Sequence, residues 1–220
     1  ADLITVQHKK GDELLKWAKR SGLTTVMVGW ESENPGSLEE YNAETKQGKN
    51  RIDAIKKVKN YGIDVILFIM VGGRSEGLYD YKRVIDLCDK LSVCAHPVML
   101  MPYPGTELYE QYKKYLIPDI GWDRFDGSTG LFYHDDPEMT PENREVALLW
   151  LWKEIFTWQR ILKSIAKISL KGFPMAHFNS LMFQWAHQRA FREYTGYVLG
   201  DRKEIISGDF DYLKRRLMKL

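Results

Sequence analysis

Three stretches of this chain combine small, polar and acidic residues in ways that could hold a ligand. Gly29–Trp30–Glu31–Ser32 sets a carboxylate beside a hydroxyl, a pair that can hydrogen-bond a ribose or an amino-acid group. Gly72–Gly73–Arg74–Ser75–Glu76 offers backbone that a ligand can approach closely, because glycine has no Cβ. It is not a Walker loop, since no Lys–Ser/Thr pair follows the glycines. Met101–Pro102–Tyr103–Pro104–Gly105–Thr106–Glu107–Leu108 carries two prolines and a glycine that fix a rigid turn. Such a turn can present backbone groups to a flat base. Taken singly, each stretch also reads as ordinary turn or helix-cap chemistry. His96, His134, His177 and His187 lack the close spacing of a zinc site, so no metal centre is expected from them.

The elements around these stretches decide what they can do. Thr24–Gly29, Val65–Val71 and Val98–Met101 read as short buried strands, and Leu3–Gln7 reads as a fourth. Val65–Val71 is continuously apolar, the mark of a strand covered on both faces. Between and after them, Asp12–Ser21, Asn50–Tyr61, Leu78–Leu91 and Glu107–Tyr115 carry helical spacing, with Gly22 and Gly62 as stops. Four β/α units in succession predict an α/β fold with a parallel sheet and right-handed crossovers. Ligands of such sheets bind at the carboxyl ends of the strands, where all three stretches fall. Four strands do not close a barrel. They predict an open sheet or the later part of a larger barrel, and an unpaired edge at Leu3–Gln7 favours a missing N-terminal portion. The start at Ala1, inside a strand pattern, likewise reads as a fragment.

After residue 116 the pattern changes. Residues 117–140 are rich in Pro, Gly and Asp and read as an irregular connection. Thr140–Pro141–Glu142 predicts a helix start, with a helix running to about Leu170 before the break at Gly172–Phe173–Pro174. Met175–Tyr197 and Tyr212–Leu220 read as further helices. The chain thus divides into 1–116, 117–140 and a helical extension, 141–220.

Bulk properties bound the rest. The net charge of +2 gives no reason to expect nucleic acid as a partner. From Arg160 to Leu220, however, 12 Lys and Arg stand against 5 Asp and Glu. This basic, Trp- and Phe-rich tail reads first as a solvated helical cap with its aromatics packed inward. Contact with a membrane surface or a lipid-like substrate is the other reading. Cys88 and Cys94 read as buried free thiols in a reducing, cytoplasmic setting. No apolar run is long enough for a transmembrane helix.

The order and spacing of the three stretches resemble strands four, five and six of the radical S-adenosylmethionine (SAM) family. The matching patterns are Gly-x-Glu-Ser ahead of Asn42, Lys46 and Gln47; Phe-Ile-x-x-Gly with Glu76 four residues on; and Pro-x-Pro-Gly-Thr-x-Leu-Tyr. Trp122–Asp123–Arg124–Phe125–Asp126 and Met139–Thr140–Pro141–Glu142 resemble the extension of cobalamin-binding members, so the likeness covers about residues 1–165. It implies a partial TIM-like (β/α) barrel, strands three to six of that core, followed by the helical extension. It implies SAM as cofactor, with Glu31 and Ser32 on its ribose and methionine side, Ile69 to Gly72 packed on adenine, Glu76 bracing or contacting, and Pro102, Pro104 and Gly105 offering backbone. It further implies radical methyl transfer or rearrangement on a small-molecule or lipid-like substrate. The parent protein would then hold a [4Fe–4S] cluster, and cobalamin in a preceding domain. The family's Cys-x-x-x-Cys-x-x-Cys loop is not in this chain, whose two cysteines stand six apart in another unit, so the cluster ligands would lie in the missing barrel half. Two rivals stand beside this reading: a non-catalytic α/β interaction module derived from such an enzyme, and a different α/β enzyme sharing only strand-end turns.

Overall fold

The computed structural model of the chain describes residues 3–43, 50–166, 174–201 and 215. In chain order the helices and strands are α1 (Leu3–Gln7), α2 (Gly11–Arg20), β1 (Thr25–Glu31), α3 (Pro35–Glu40), α4 (Asn50–Asn60), β2 (Asp64–Val71), α5 (Leu78–Leu91), β3 (Cys94–Met99), α6 (Glu107–Tyr112), α7 (Pro141–Ile155), α8 (Trp158–Ala166) and α9 (Pro174–Asp201).

The strands pair in parallel in the order β1–β2–β3. Spatial order equals chain order, so each crossover moves one strand onward without a reversal. Val65, Leu67, Ile69 and Val71 of β2 share one core with Ala54, Ile55 and Val58 of α4 and Val84, Ile85, Leu87 and Cys88 of α5. Both crossover helices therefore cover the same face of the sheet. Strand alternation sends Ile66, Phe68 and Met70 to the other face. α7 extends the core beyond β3: its Trp152 Nε1 donates to Pro97 O over 2.8 Å.

Among the described residues, the second face is only half covered. At its amino-terminal end α9 docks through polar groups. Ser180 Oγ donates to Asp64, Gln184 Nε2 donates to Asp64 Oδ2 at 3.0 Å, and Cys94 Sγ donates to Gln184 Oε1 at 2.8 Å. Burial raises the Asp64 carboxyl above its ordinary range, and these donors and nearby Lys59 oppose the shift.

Several expectations need correction. Leu3–Gln7 is a helix, not a strand, so the described residues hold three strands and not four. Five residues are too few to be assigned by periodicity alone. Here tertiary contacts decide it: Leu3 is buried, Gln7 Nε2 donates to Asn50 O at 2.6 Å, and Lys57 Nζ donates to Val6 O at 3.2 Å. The unpaired edge expected at Leu3–Gln7 falls with that strand. β3 starts at Cys94 and tolerates Pro97 because it lies at the end of the strand order. The helix expected to run to Leu170 breaks after Ile155. Thr157 starts a new one, accepting from Ile161 N at 3.0 Å, while Gln188 Nε2 and Arg160 Nη1 donate to the freed carbonyls of Phe156 and Glu154. Lys46, Gln47, Gly172, Phe173 and most of Tyr212–Leu220 lie outside the described residues. The sheet is an α/β arc, and no closed barrel is formed among the described residues.

Candidate functional site at the carboxyl ends of the strands

Parallel pairing brings the three stretches to one end of the sheet. At the end of β1 the register slips: Gly29 pairs with Phe68 and Glu31 with Ile69, leaving Trp30 as the extra residue of a bulge. Trp30 is buried and anchored. The Arg51 guanidinium lies 3.6 Å over its ring and donates to its carbonyl, while its Nε1 donates to Glu33 Oε1 at 2.6 Å. The bulge leaves half-buried Glu31 at φ 68°, a left-handed conformation that a non-glycine residue adopts at a cost.

The turn after β2 is tightly packed. Gly72 has φ 83°, and a Cβ there would stand 2.6 Å from Met99 Sδ and 3.1 Å from the Tyr81 hydroxyl. A Cβ on Gly73 would overlap the Tyr41 hydroxyl. Protein atoms thus occupy the space that the missing side chains leave. The polar groups are also engaged within the chain. Gly72 N donates to Glu76 Oε2 at 2.7 Å, and Gly72 O accepts from Arg144 Nη1 at 3.1 Å. Gly73 O accepts from Glu76 N at 3.0 Å, with His134 Nε2 at 3.3 Å.

Glu76 ties this turn to the one after β1. Its Oε1 accepts from Ser32 Oγ at 2.6 Å, and Ser32 Oγ in turn accepts from Asn34 N at 3.0 Å. Asn34 caps α3 and donates to Ser75 O and Asp80 Oδ2. Burial pushes the Glu76 carboxyl from 4.5 up to about 7; Asp80 adds to the rise, and the bonds from Ser32 and Gly72 oppose it. The folded chain therefore holds this proton more tightly than the unfolded one. The contribution is fully present below pH 4.5 and is lost as pH rises toward 7. Glu76→Gln removes the titration. Between pH 4.5 and 8 the variant should gain about 2–4 kcal/mol relative to wild type. Urea unfolding of both at the two ends of that range measures it, and parallel pH dependence would show that Glu76 does not titrate there.

The turn after β3 continues the pairing through Leu100 N, which donates to Val71 O at 2.9 Å. Pro102 is buried, whereas Tyr103, Pro104 and Gly105 are exposed. Thr106 caps α6 and donates to Tyr103 O at 2.6 Å, which fixes the turn. Asn42 Nδ2 donates to Glu107 Oε2 at 3.2 Å, linking this turn to the segment after α3.

Among the eight residues singled out in the sequence, Ser32, Gly72 and Glu76 are joined by direct hydrogen bonds. Glu31 and Ile69 are cross-strand partners, with Ile69 1% exposed and turned into the core. Pro102, Pro104 and Gly105 form the neighbouring turn, with no hydrogen bond to the Ser32–Glu76 pair. Sequence reasoning passed over the open half of the second face. There Gly29, Phe68 and His96 form one cross-strand row, and Met70 and Val98 the next. Phe68 is 36% exposed and the other four half-buried, so this is a floor and not a core. The His96 ring lies 4.9 Å from Phe68 and 5.5 Å from the His187 ring of α9. Burial and His187 lower His96 to about 4, so it is neutral at neutral pH. No residue-type signal marked it: Val65–Val71 is continuously apolar and reads as covered on both faces, whereas among the described residues the second face is covered over one half only.

Comparison with known proteins then sets limits. No family model matches the chain. It is 30% identical over 100 residues to an uncharacterized methyltransferase of Pyrococcus horikoshii, covering 45% of this chain and 22% of that protein. It is 22% identical over 162 residues to the bacteriochlorophyllide d C-12(1)-methyltransferase of Chlorobaculum tepidum, covering 73% of this chain and 35% of that one. The chain spans about a fifth to a third of the length of these curated relatives. Both are named as methyltransferases, and neither name carries a radical, iron–sulfur or cobalamin term. The resemblance to the cobalamin-binding radical SAM family is therefore corrected to a weaker and coarser one, likeness to methyltransferases. The [4Fe–4S] cluster and cobalamin expected of a parent protein have no support in these matches. Among the described residues, no cluster of three or more His, Cys, Asp or Glu could hold a metal ion. No helix among them is long and apolar enough to cross a membrane.

Proposed function

We propose that the chain is part of a methyltransferase that takes its methyl group from SAM, with the donor held at the carboxyl ends of β1–β3. The carrying observation is the convergence of three constrained strand-end turns beside a half-open apolar sheet face. Likeness to two methyltransferases supports the reaction class. When bound, SAM supplies a methyl group on a sulfonium, already activated for transfer.

The residues fit such a molecule. Phe68 and Met70 give an apolar floor for a flat base, and the exposed turn through Pro104 and Gly105 gives it backbone edges. Glu31 stands at the rim, where a carboxylate suits a ribose diol or an ammonium group. Ser32, Gly72 and Glu76 hold the first two turns in register, so that Glu31 is placed by a rigid support. Ile69 contributes through the strand, which carries Phe68 and Met70 on the ligand side. A methyl acceptor with a large apolar surface fits the remainder of this floor, Val98 and His96. In the Chlorobaculum relative the named acceptor is a bacteriochlorophyllide. Equilibrium dialysis against methyl-labelled SAM tests the reading. Saturable retention, displaced by S-adenosylhomocysteine and not by ATP, is the expected result; retention of neither adenosyl compound would reject it.

A further inference from the structure

Three side chains from outside the strands and their crossover helices hold the turn after β2. Tyr112 of α6 accepts from Arg74 N at 3.1 Å, and its hydroxyl donates in turn to Glu40. His134 Nδ1 accepts from Asp136 N at 2.9 Å, so its proton stands on Nε2, which donates to Gly73 O at 3.3 Å. Arg144 of α7 donates from Nη1 to Gly72 O at 3.1 Å and from Nη2 to Phe132 O. Three consecutive residues, Gly72, Gly73 and Arg74, are thus held by their backbone groups. The holders also brace one another. The Phe132 ring meets Tyr112 edge-on at 4.6 Å, and the Arg144 guanidinium lies 4.1 Å over Phe132.

Arg144 is the member whose placement is hardest to explain by packing. It is 0% exposed, its Nε has no hydrogen-bond partner, and it makes no ion pair among the described residues. An apolar side chain of similar volume in such a place is often neutral or stabilising. What the guanidinium alone supplies is a planar fork that joins two carbonyls, one on the Gly72 turn and one in the 117–140 connection. From Gly72 the contacts run on to the rim of the site. Gly72 N donates to Glu76 Oε2 at 2.7 Å, Glu76 Oε1 accepts from Ser32 Oγ at 2.6 Å, and Ser32 follows Glu31 in the chain. We propose that Arg144 is a positioning residue for donor binding, setting the Gly72 turn and, through Glu76 and Ser32, the place of Glu31. This rests on the reading of the strand ends as the donor site.

The test sets SAM affinity against stability in wild type, Arg144→Met and Arg144→Lys. Methionine fills the volume without a donor; lysine keeps a charge and N–H donors but not the fork. Calorimetric titration with SAM, at a temperature where near-ultraviolet circular dichroism shows all three folded, should give the order wild type, Lys, Met. The Met variant should bind about tenfold more weakly than wild type, with Lys between them. Urea midpoints should rank the two variants the other way, Met above Lys, because lysine leaves a charge buried with fewer hydrogen bonds. A purely structural Arg144 would rank them alike in both measurements, and that result overturns the proposal. So does failure of both variants to fold. SAM uptake by wild type with unchanged affinity in both variants overturns the positioning role alone. A wild-type chain that takes up no SAM overturns the donor site itself, and the positioning role with it.

Discussion

Arg144→Ala should destabilise the chain by about 3–5 kcal/mol, the largest effect expected of any single substitution discussed for this molecule. Arg144 is 0% exposed and makes no ion pair with a carboxylate among the described residues. Its two terminal nitrogens donate instead to carbonyls, Gly72 O at 3.1 Å and Phe132 O, and its guanidinium lies 4.1 Å over the Phe132 ring. Burial lowers its pKa, opposed by nearby tyrosines and glutamates. Alanine would leave two buried carbonyls without these donors and open a cavity beneath the Gly72 turn. Methionine fills most of the volume and removes the desolvated charge, so Arg144→Met should lose less, about 1–3 kcal/mol, with both carbonyls still deprived. Urea unfolding of the three proteins gives the order wild type, Met, Ala. An Ala variant as stable as wild type would mean that water replaces the guanidinium at no cost.

The second large effect falls on ligand binding rather than on stability. Glu31 holds φ 68°. Glycine adopts that conformation without a steric penalty. Glu31→Gly should therefore keep the fold with this backbone strain relieved, while binding SAM about ten- to a hundredfold more weakly. A strained residue whose replacement spares the fold and removes the ligand is the pattern expected of a functional position. A variant that loses stability and binding together would instead make Glu31 a structural part of the bulge.

The central strand β2 and the helix after it were legible because their signals agree. Val65–Val71 is a continuous apolar run inside β2, and Leu78–Leu91 has helical spacing and ends at Ser92, which takes the left-handed conformation of a C-terminal cap. Leu3–Gln7 was not legible, since five residues fit either period and their helical state depends on docking against α4. The break at Phe156 was hidden because α7 and α8 are each apolar enough to continue, and the partners of the freed carbonyls come from distant Gln188 and nearby Arg160. At the site, residue types marked the three turns. Their mutual wiring was out of reach: that Glu76 bonds Ser32 across 44 positions follows from strand pairing and not from either motif. The same holds for the floor. Phe68 looks like a core residue in sequence, and among the described residues the placement of α9 over one half of the face leaves it open.

Calorimetric titration of the wild-type chain and Glu31→Ala with SAM near neutral pH tests the central claim most directly. The chain should bind one SAM, and the variant should bind it about ten- to a hundredfold more weakly with its fold intact, because one charged acceptor of a ligand hydrogen bond is lost. A wild-type chain that takes up no SAM, or an Ala variant that binds it as tightly, would contradict the assignment of the strand-end turns as the donor site.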